Sequence, residues 1–371
     1  MSGAPSASVE QGKEPNAADQ AALEMAEQGG LAGSYKAVDE DSARFLLETH
    51  FGITGKLTRF ATEKDDTFKV AAANGQAFVL KIANPGELRG ELEFQQGILQ
   101  HIEAVDPTIP VPRVVTDRSG ARLVEHHTDD GSRLTQLLTF IEGIPLDSTS
   151  SSPAERVEIG KMLARLRYAT QEFSHPFEDR YLAWDVQHLK SLEPLLEHVD
   201  DDEKRSALSR GLGRFEEIHP RLVRCRKQVL HNDFSKSNIV VDHDDPAFVK
   251  GIIDFGDSVK TYVAIDVATA LLNQLPEEPN EDLFYRGRDI MDGYMTVAEL
   301  SDEELALIPH LVMARVVARA LLTLWRSRLF PENETYIMRN TKQGWHQLDW
   351  FLARPLEEIS GILMPWSKQS G

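Results

Sequence analysis

One cysteine, Cys225, stands among 371 residues, so no internal disulfide can form and a reducing, cytoplasmic setting is expected. Basic residues are in deficit. The 40 Lys and Arg against 59 Asp and Glu give a formal charge of −19, which argues against a nucleic-acid-binding surface and suits a small cationic ligand. No stretch approaches a membrane span, and the N-terminus carries neither the basic start nor the apolar core of a secretory signal, so no membrane partner is expected. The tandem His126-His127 and the neighbours His243 and Asp244 lack Cys or His partners at zinc-like spacing and read as solvated strand ends. Residues 1–33, rich in Ala, Ser, Gly, Gln and Glu, are expected to be a disordered tail with a transient helix over 21–28. There is no internal repeat, and nothing in the sequence specifies an oligomeric state.

What the chain does have is the run His231-Asn232-Asp233-Phe234-Ser235-Lys236-Ser237-Asn238, followed after a short strand pair by Ile252-Ile253-Asp254-Phe255-Gly256-Asp257. Each half lies beside an apolar, strand-like run: Val229-Leu230, Ile239-Val240-Val241 or Ile252-Ile253. The ordered pair reads as the active site of a kinase. Phosphoryl transfer to an alcohol depends on positioning and charge neutralisation, so it needs a carboxylate near the acceptor hydroxyl and divalent metal on the nucleotide's phosphates. Asp233 is the candidate base, and His231 braces its loop through the ring nitrogens. Asn238 and Asp254 supply the hard oxygens that Mg2+ prefers while it keeps several waters.

Upstream, residues 57–61, 67–72 and 77–83 read as three short strands, the last two joined at Asn74-Gly75. Lys81 lies inside Phe78-Val79-Leu80-Lys81-Ile82, where its ammonium needs a polar partner, and a triphosphate is suited to it. Residues 87–102 read as a helix with Leu92, Gln96, Leu99 and Ile102 on one face. Glu93 is chosen as the carboxylate that orients Lys81, with Glu91 as the alternative. No G-x-G-x-x-G loop is present, so grip on the phosphates is expected from the backbone around 65–68, with Asp66 and Thr67 as nucleotide contacts. The apolar strand 133–141 runs on to Gly143. It is either an ordinary core strand or a hinge whose backbone at Leu138, Thr139 and Phe140 meets the purine edge.

These residues resemble the aminoglycoside phosphotransferase and choline kinase superfamily, and within it the hydroxylysine kinases, over roughly residues 36–355. The resemblance is carried by Asp65-Asp66-Thr67-Phe68, Phe78-Val79-Leu80-Lys81-Ile82-Ala83-Asn84, Leu92-Glu93-Phe94-Gln95, Arg133-Leu134-Thr135-Gln136-Leu137-Leu138-Thr139-Phe140 and Gly251-Ile252-Ile253-Asp254-Phe255-Gly256-Asp257. It implies an α+β, bilobal protein-kinase-like fold, with a small antiparallel-sheet N-lobe over 34–139 and a larger, mainly helical C-lobe over 140–366. It also implies transfer of the terminal phosphate of GTP or ATP, with Mg2+, to the hydroxyl of a small amino alcohol. 5-Hydroxylysine stands first, with choline, ethanolamine, homoserine and aminoglycosides as rivals; GTP is the nucleotide of hydroxylysine kinases, and many relatives use ATP. A nucleotide-binding pseudokinase is the non-enzymatic alternative, and the joint presence of Lys81, Asp233, Asn238 and Asp254 counts against it.

Two departures stand out. Asn232 replaces the glycine common in the superfamily's H-G-D version, and no A-P-E element follows Asp254. The chain passes almost directly into a helix over 262–272, leaving no long segment to dock a protein substrate, so the acceptor is expected to be a small molecule. Within that helix Asp266 resembles the structural aspartate that ties it to the catalytic loop, whereas Lys236 lies one place later than the protein-kinase lysine and inherits no role. Further helices are expected over 38–47, from the Ser152-Pro153-Glu155 capping box to about 172, and over 189–196, 203–225, 281–294, 306–328 and 344–352. For the acceptor, Asp257 is the candidate reader of an amino group. Arg315 and Arg319, four apart on one helix face, form either a carboxylate clamp or structural ion pairs, and Trp184, Asp185 and Trp325 are taken as pocket lining.

Overall fold

The computed structural model describes residues 36–62, 65–128, 131–278, 280–331, 337–338 and 341–367. The expected tail over 1–33 and its transient helix lie outside these. Helix α1 (Glu40–Leu46) is capped by Asp39, which accepts from the Ser42 N–H at 2.8 Å, and Glu40 and Asp41 occupy its first turn, where the helix dipole favours acids. Strands β1 (Gly55–Arg59), β2 (Asp66–Ala72) and β3 (Ala77–Ile82) follow, then helix α2 (Arg89–Val105) and strands β4 (Val114–Val115), β5 (Val124–Thr128) and β6 (Gly131–Thr139). They form one antiparallel sheet in the order β1-β2-β3-β6-β4, with β5 also on β6.

Strand parity sorts the side chains of this sheet. Thr67, Lys81 and Gln136 are register partners across β2, β3 and β6 and face one way. Phe68, Leu80 and Leu137 face the other way, into an apolar cluster with Val38, Leu47 and Phe51. Asp66 shares the parity of Phe68. Its carboxylate is buried beneath the sheet, where it accepts from Arg133 Nη2 at 2.8 Å, from the Val38 N–H at 3.0 Å and from Arg59. Arg133, only 1% exposed, also donates to the Ala83 and Ile82 carbonyls. Asp66 is therefore a structural group here, and the expectation that it contacts nucleotide is corrected.

The second half is mainly helical. Strand β7 (Ile144–Pro145) leads to helix α3 (Pro153–Ala169), which starts on the expected Ser152/Glu155 capping box. In place of the helix expected over 189–196 there is a 3₁₀ stretch, Val186–His198, with Pro194 inside it; proline removes a backbone donor that an α-helix needs. Helix α4 (Asp202–Leu222) precedes β8 (Lys227–Leu230), β9 (Ile239–Val241), β10 (Val249–Ile252) and β11 (Val259–Tyr262), which pair as two small sheets, β10-β9-β7 and β11-β8. Helices α5 (Val263–Leu272), α6 (Tyr285–Val297), α7 (Asp302–Leu329), α8 (Thr341–Leu352) and α9 (Leu356–Gly361) complete the described chain. Helices α3 and α6 touch backbone to backbone: a Cβ on Gly160 would lie 2.0 Å from the Ile290 carbonyl oxygen, and one on Gly293 1.9 Å from that of Val157.

The large apolar core of the helices, to which α2 also contributes Phe94, Ile98, Leu99 and Ile102, is separate from the cluster under the first sheet, and the expected α+β, two-lobed arrangement is what the chain adopts. One expectation needs correction: α7 is long and apolar enough to cross a membrane, but 94% of its most apolar window is buried inside the protein, as in a core helix.

The Asp66–Arg133 pair generates a test. Breaking a buried pair leaves a buried charge uncompensated, so Asp66→Asn should lower unfolding stability by about 3 kcal/mol in urea denaturation. A variant that is as stable as the parent but no longer binds nucleotide would restore Asp66 to the binding site.

Candidate active site

A cleft of about 2020 Å³ lies between the sheet and the helices, lined by Lys81, Asp233, Asn238, Asp254 and Asp257 together. The turn after β8 places Asp233. Asn232 holds φ 61°, a conformation asparagine tolerates better than most non-glycine residues, which accounts for its standing where the superfamily has glycine. Its N–H donates to Asp266 Oδ1 at 2.8 Å, so the first turn of α5 anchors the loop as the sequence suggested. The His231 ring spans the same loop. Its Nδ1 accepts from the Asp233 N–H at 3.3 Å, which puts the ring proton on Nε2, 3.0 Å from the Ile253 carbonyl. His231 thereby ties the Asp233 loop to the residue before Asp254.

Asn238 donates through Nδ2 to the Asp233 carboxylate at 2.7 Å and to the Asp233 carbonyl at 3.0 Å, leaving Oδ1 as its acceptor. Asp254 also has a left-handed φ of 61° and accepts from the Gly256 N–H at 3.3 Å. Lys81 Nζ lies 3.8 Å from Asp254 Oδ1 and 4.0 Å from Asp65 Oδ2. Burial alone would lower the Lys81 pKa, but Asp254, Asp65 and Glu87 outweigh it and hold the ammonium above its ordinary value. The Asp233 pKa is also pushed up, to about 7, first by burial and then by Asp257, with Arg315 opposing and Asp254 adding. Its side chain is 32% exposed, open to the cleft. The Asn238 and Asp254 oxygens suit a hard divalent ion that keeps several waters. Among the described residues no cluster of three or more His, Cys, Asp or Glu could hold a metal, and His126, His127, His243 and Asp244 form none.

Residues 56–300 match the Phosphotransferase enzyme family, APH. The chain belongs to this family. It is an enzyme that transfers phosphate to an alcohol group, and its donor is a nucleotide. It is 28% identical to the hydroxylysine kinase of Mus musculus over 333 residues, 83% of this chain and 88% of that protein. The solved microcompartment-associated aminopropanol kinase superposes with a TM-score of 0.68 at 21% identity, covering 85% of this chain and 98% of that one. Amicoumacin kinase, solved with AMP-PNP, Ca2+ and Ami, gives a TM-score of 0.66 at 18% identity over 86% and 95% of the two chains. The resemblance to hydroxylysine kinases read from the sequence is borne out.

Several residues of this phosphotransferase lie elsewhere than expected. Glu93 is 52% exposed and 3.9 Å from Arg89 on the outer face of α2; it does not reach Lys81. The cleft-facing stripe of that helix is Glu91, Gln95 and Leu99, and Glu91 pairs with Arg180 at 3.1 Å. Thr67 does line the cleft, its buried hydroxyl lacking a partner among the described residues. Leu138, Thr139 and Phe140 line it too, but the Thr139 N–H already donates to the Arg113 carbonyl at 2.9 Å and the Phe140 N–H to that of Ala77 at 3.0 Å. Those two donors are not open to a base. Asp185 is buried away from the cleft, accepting from Thr261 and capping the 3₁₀ stretch, and Trp325 belongs to the core.

The acceptor candidates are better placed. Arg315 Nη2 lies 3.9 Å from Asp233 Oδ1, and the same guanidinium donates to the Trp184 carbonyl and stands 5.9 Å over its ring. Arg319, next on that face of α7, donates to Gln347 at 3.0 Å and has no carboxylate partner among the described residues. Burial, and then Arg315, pull its pKa down to about 10. Asp65 and Arg180 are site residues that sequence reasoning missed.

The displaced Asp233 pKa has a consequence for stability. Between its ordinary 3.8 and about 7 the unfolded chain releases this proton while the folded chain keeps it, so stability falls as pH rises through that window. Asp233→Asn removes the effect. Its melting temperature should match the parent's near the acid end and exceed it increasingly towards neutral pH; a difference that is flat across the window would contradict the assignment.

Proposed function

We propose that this phosphotransferase moves the terminal phosphate of GTP or ATP to the hydroxyl of a free amino acid that is also an amino alcohol, 5-hydroxylysine first among them. The carrying observation is that Asp233 lies in one cleft with Lys81 and Asp254 at one end and with Arg315 and Arg319 at the other. The likeness to the mouse hydroxylysine kinase and to the aminopropanol kinase supports a small amino-alcohol acceptor. Arg319 is a partly buried cation that lines the cleft without a carboxylate partner among the described residues, and a carboxylate supplied by substrate compensates it. Asp257 receives the cationic amino group, which also suits the chain's formal charge of −19.

In this reading Asp233 accepts the acceptor's proton as its oxygen attacks the terminal phosphorus, and the bond to the bridging oxygen breaks to release nucleoside diphosphate. His231 fixes the loop that carries Asp233. Lys81 and Thr67 meet the phosphates, and Asn238 and Asp254 would hold Mg2+, which supplies charge neutralisation when bound. The base lies against Leu138, Thr139 and Phe140, and any N–H it receives comes from a residue other than Thr139 or Phe140, because those two N–H groups are engaged. Residues 34–139 and 140–366 serve as the nucleotide-binding and catalytic lobes.

The test is turnover with GTP and with ATP, each with Mg2+, across 5-hydroxylysine, homoserine, choline, ethanolamine and kanamycin. GTP-dependent turnover of 5-hydroxylysine is expected. Preference for choline, ethanolamine or kanamycin over both amino acids would overturn the carboxylate reading. Arg319→Ala should raise KM for 5-hydroxylysine about tenfold or more and leave an acceptor without a carboxylate unaffected. Asp233→Asn should bind nucleotide as the parent does but lose about 10²–10⁴ in kcat; near-normal turnover would remove Asp233 as the base.

A further inference from the structure

Arg180 is 8% exposed and satisfies acceptors on two different elements. Its Nε donates to the Ser258 carbonyl at 3.1 Å and its Nη2 to the same oxygen at 2.9 Å, while Nη2 also bonds the Gly256 carbonyl. Nη1 donates to Glu91 on α2 at 3.1 Å, and the guanidinium stands 5.7 Å over the Phe94 ring of that helix. The chain around Arg180 is itself fixed to β11: the Lys260 N–H donates to the Glu178 carbonyl at 2.8 Å, and Lys260 Nζ lies 2.7 Å from the Glu178 carboxylate. Arg180 thus spans from the cleft-facing stripe of α2 to the turn that carries Asp254, at a point where Lys81 and the α2 glutamates do not meet.

We infer that Arg180 is a positioning residue for the metal-binding turn, fixing Asp254 relative to α2 through Glu91 on one side and the Gly256 and Ser258 carbonyls on the other. The physical requirement is specific. Asp254 stands at φ 61°, a conformation that costs energy for any residue with a side chain and persists only where its surroundings hold it. Two carbonyls within four residues of Asp254 point at one guanidinium, and arginine's planar fork serves several acceptors at once, which a lysine ammonium on a flexible stem does not reproduce. Residues that orient a metal ligand from outside typically contribute 10–100-fold to metal affinity or activity, by about that order. Through Glu91, Arg180 also ties the Asp254 turn to α2, a helix whose apolar face is itself buried in the large core.

This inference rests on the proposed magnesium–nucleotide site, and the measurement separates the two. Affinity for a non-hydrolysable nucleotide is measured by calorimetry with excess Mg2+ and with EDTA, and the ratio is the metal-dependent gain. The parent should show a gain; none would overturn the magnesium reading and this inference with it. Arg180→Ala should lose about tenfold or more of the gain whatever its affinity in EDTA, because the ratio cancels any direct contact of Arg180 with the nucleotide and leaves its effect through Asp254. Arg180→Lys should recover only part. A folded Arg180→Ala protein, verified by its melting curve, that keeps the parent's gain would overturn the inference while leaving the site intact. Glu91→Gln keeps the carbonyl contacts and weakens only the link to α2, so it decides the matter if Arg180→Ala fails to fold. A severalfold loss of gain supports the link, and an unchanged gain overturns it.

Discussion

Like charge held at close quarters is the constraint on which this molecule is built. Asp233, Asp254 and Asp257 share one cleft, and the proton affinity of Asp233 registers the strain of that arrangement: burial and two neighbouring carboxylates push it up against the pull of Arg315. Lys81 and Arg315 offset part of the charge from opposite ends. Such a site favours cationic ligands, and the surrounding fold, not a ligand, keeps the acids together.

The fold holds them with short, redundant ties. Asn232 hangs from Asp266 on α5, His231 bridges the Asp233 loop to the carbonyl of Ile253, and Asn238 closes onto Asp233 from five residues downstream. Both left-handed residues of the site, Asn232 and Asp254, sit where β8 and β10 give way to loops. A side chain sent from a strand end by an unusual backbone angle reaches a position that regular structure does not supply, and the hydrogen bonds around it keep it there.

Much of this was legible because it is local. The spacing from Asp233 to Asn238 and on to Asp254 is short, and the strand around Lys81 alternates as a strand should. The errors share one origin, which is direction in space. Asp66 and Thr67 stand side by side in the expected phosphate grip, yet adjacent residues on a strand point to opposite faces, and only Thr67 has the parity of Lys81. The same rule, applied to the sequence, would have set Asp66 with Phe68 in the core. Glu93, the expected partner of Lys81, lies one residue beyond Leu92 and turns outward, while Glu91 and Gln95 share the inner stripe. Arg180 had no such clue. It lies far from its partners in sequence, and only the packed molecule brings Glu91 and Gly256 to it.

Helix α7 carries Arg315 and Arg319 midway along a segment buried almost throughout, so the proposed acceptor end of the cleft is written on the same face-to-face packing that holds the helical half together. The nucleotide end, by contrast, is framed by strand ends and loops. A substitution at the acceptor end is therefore also a substitution in the core: altering the proposed acceptor reader means altering α7 without unseating the helices packed on it.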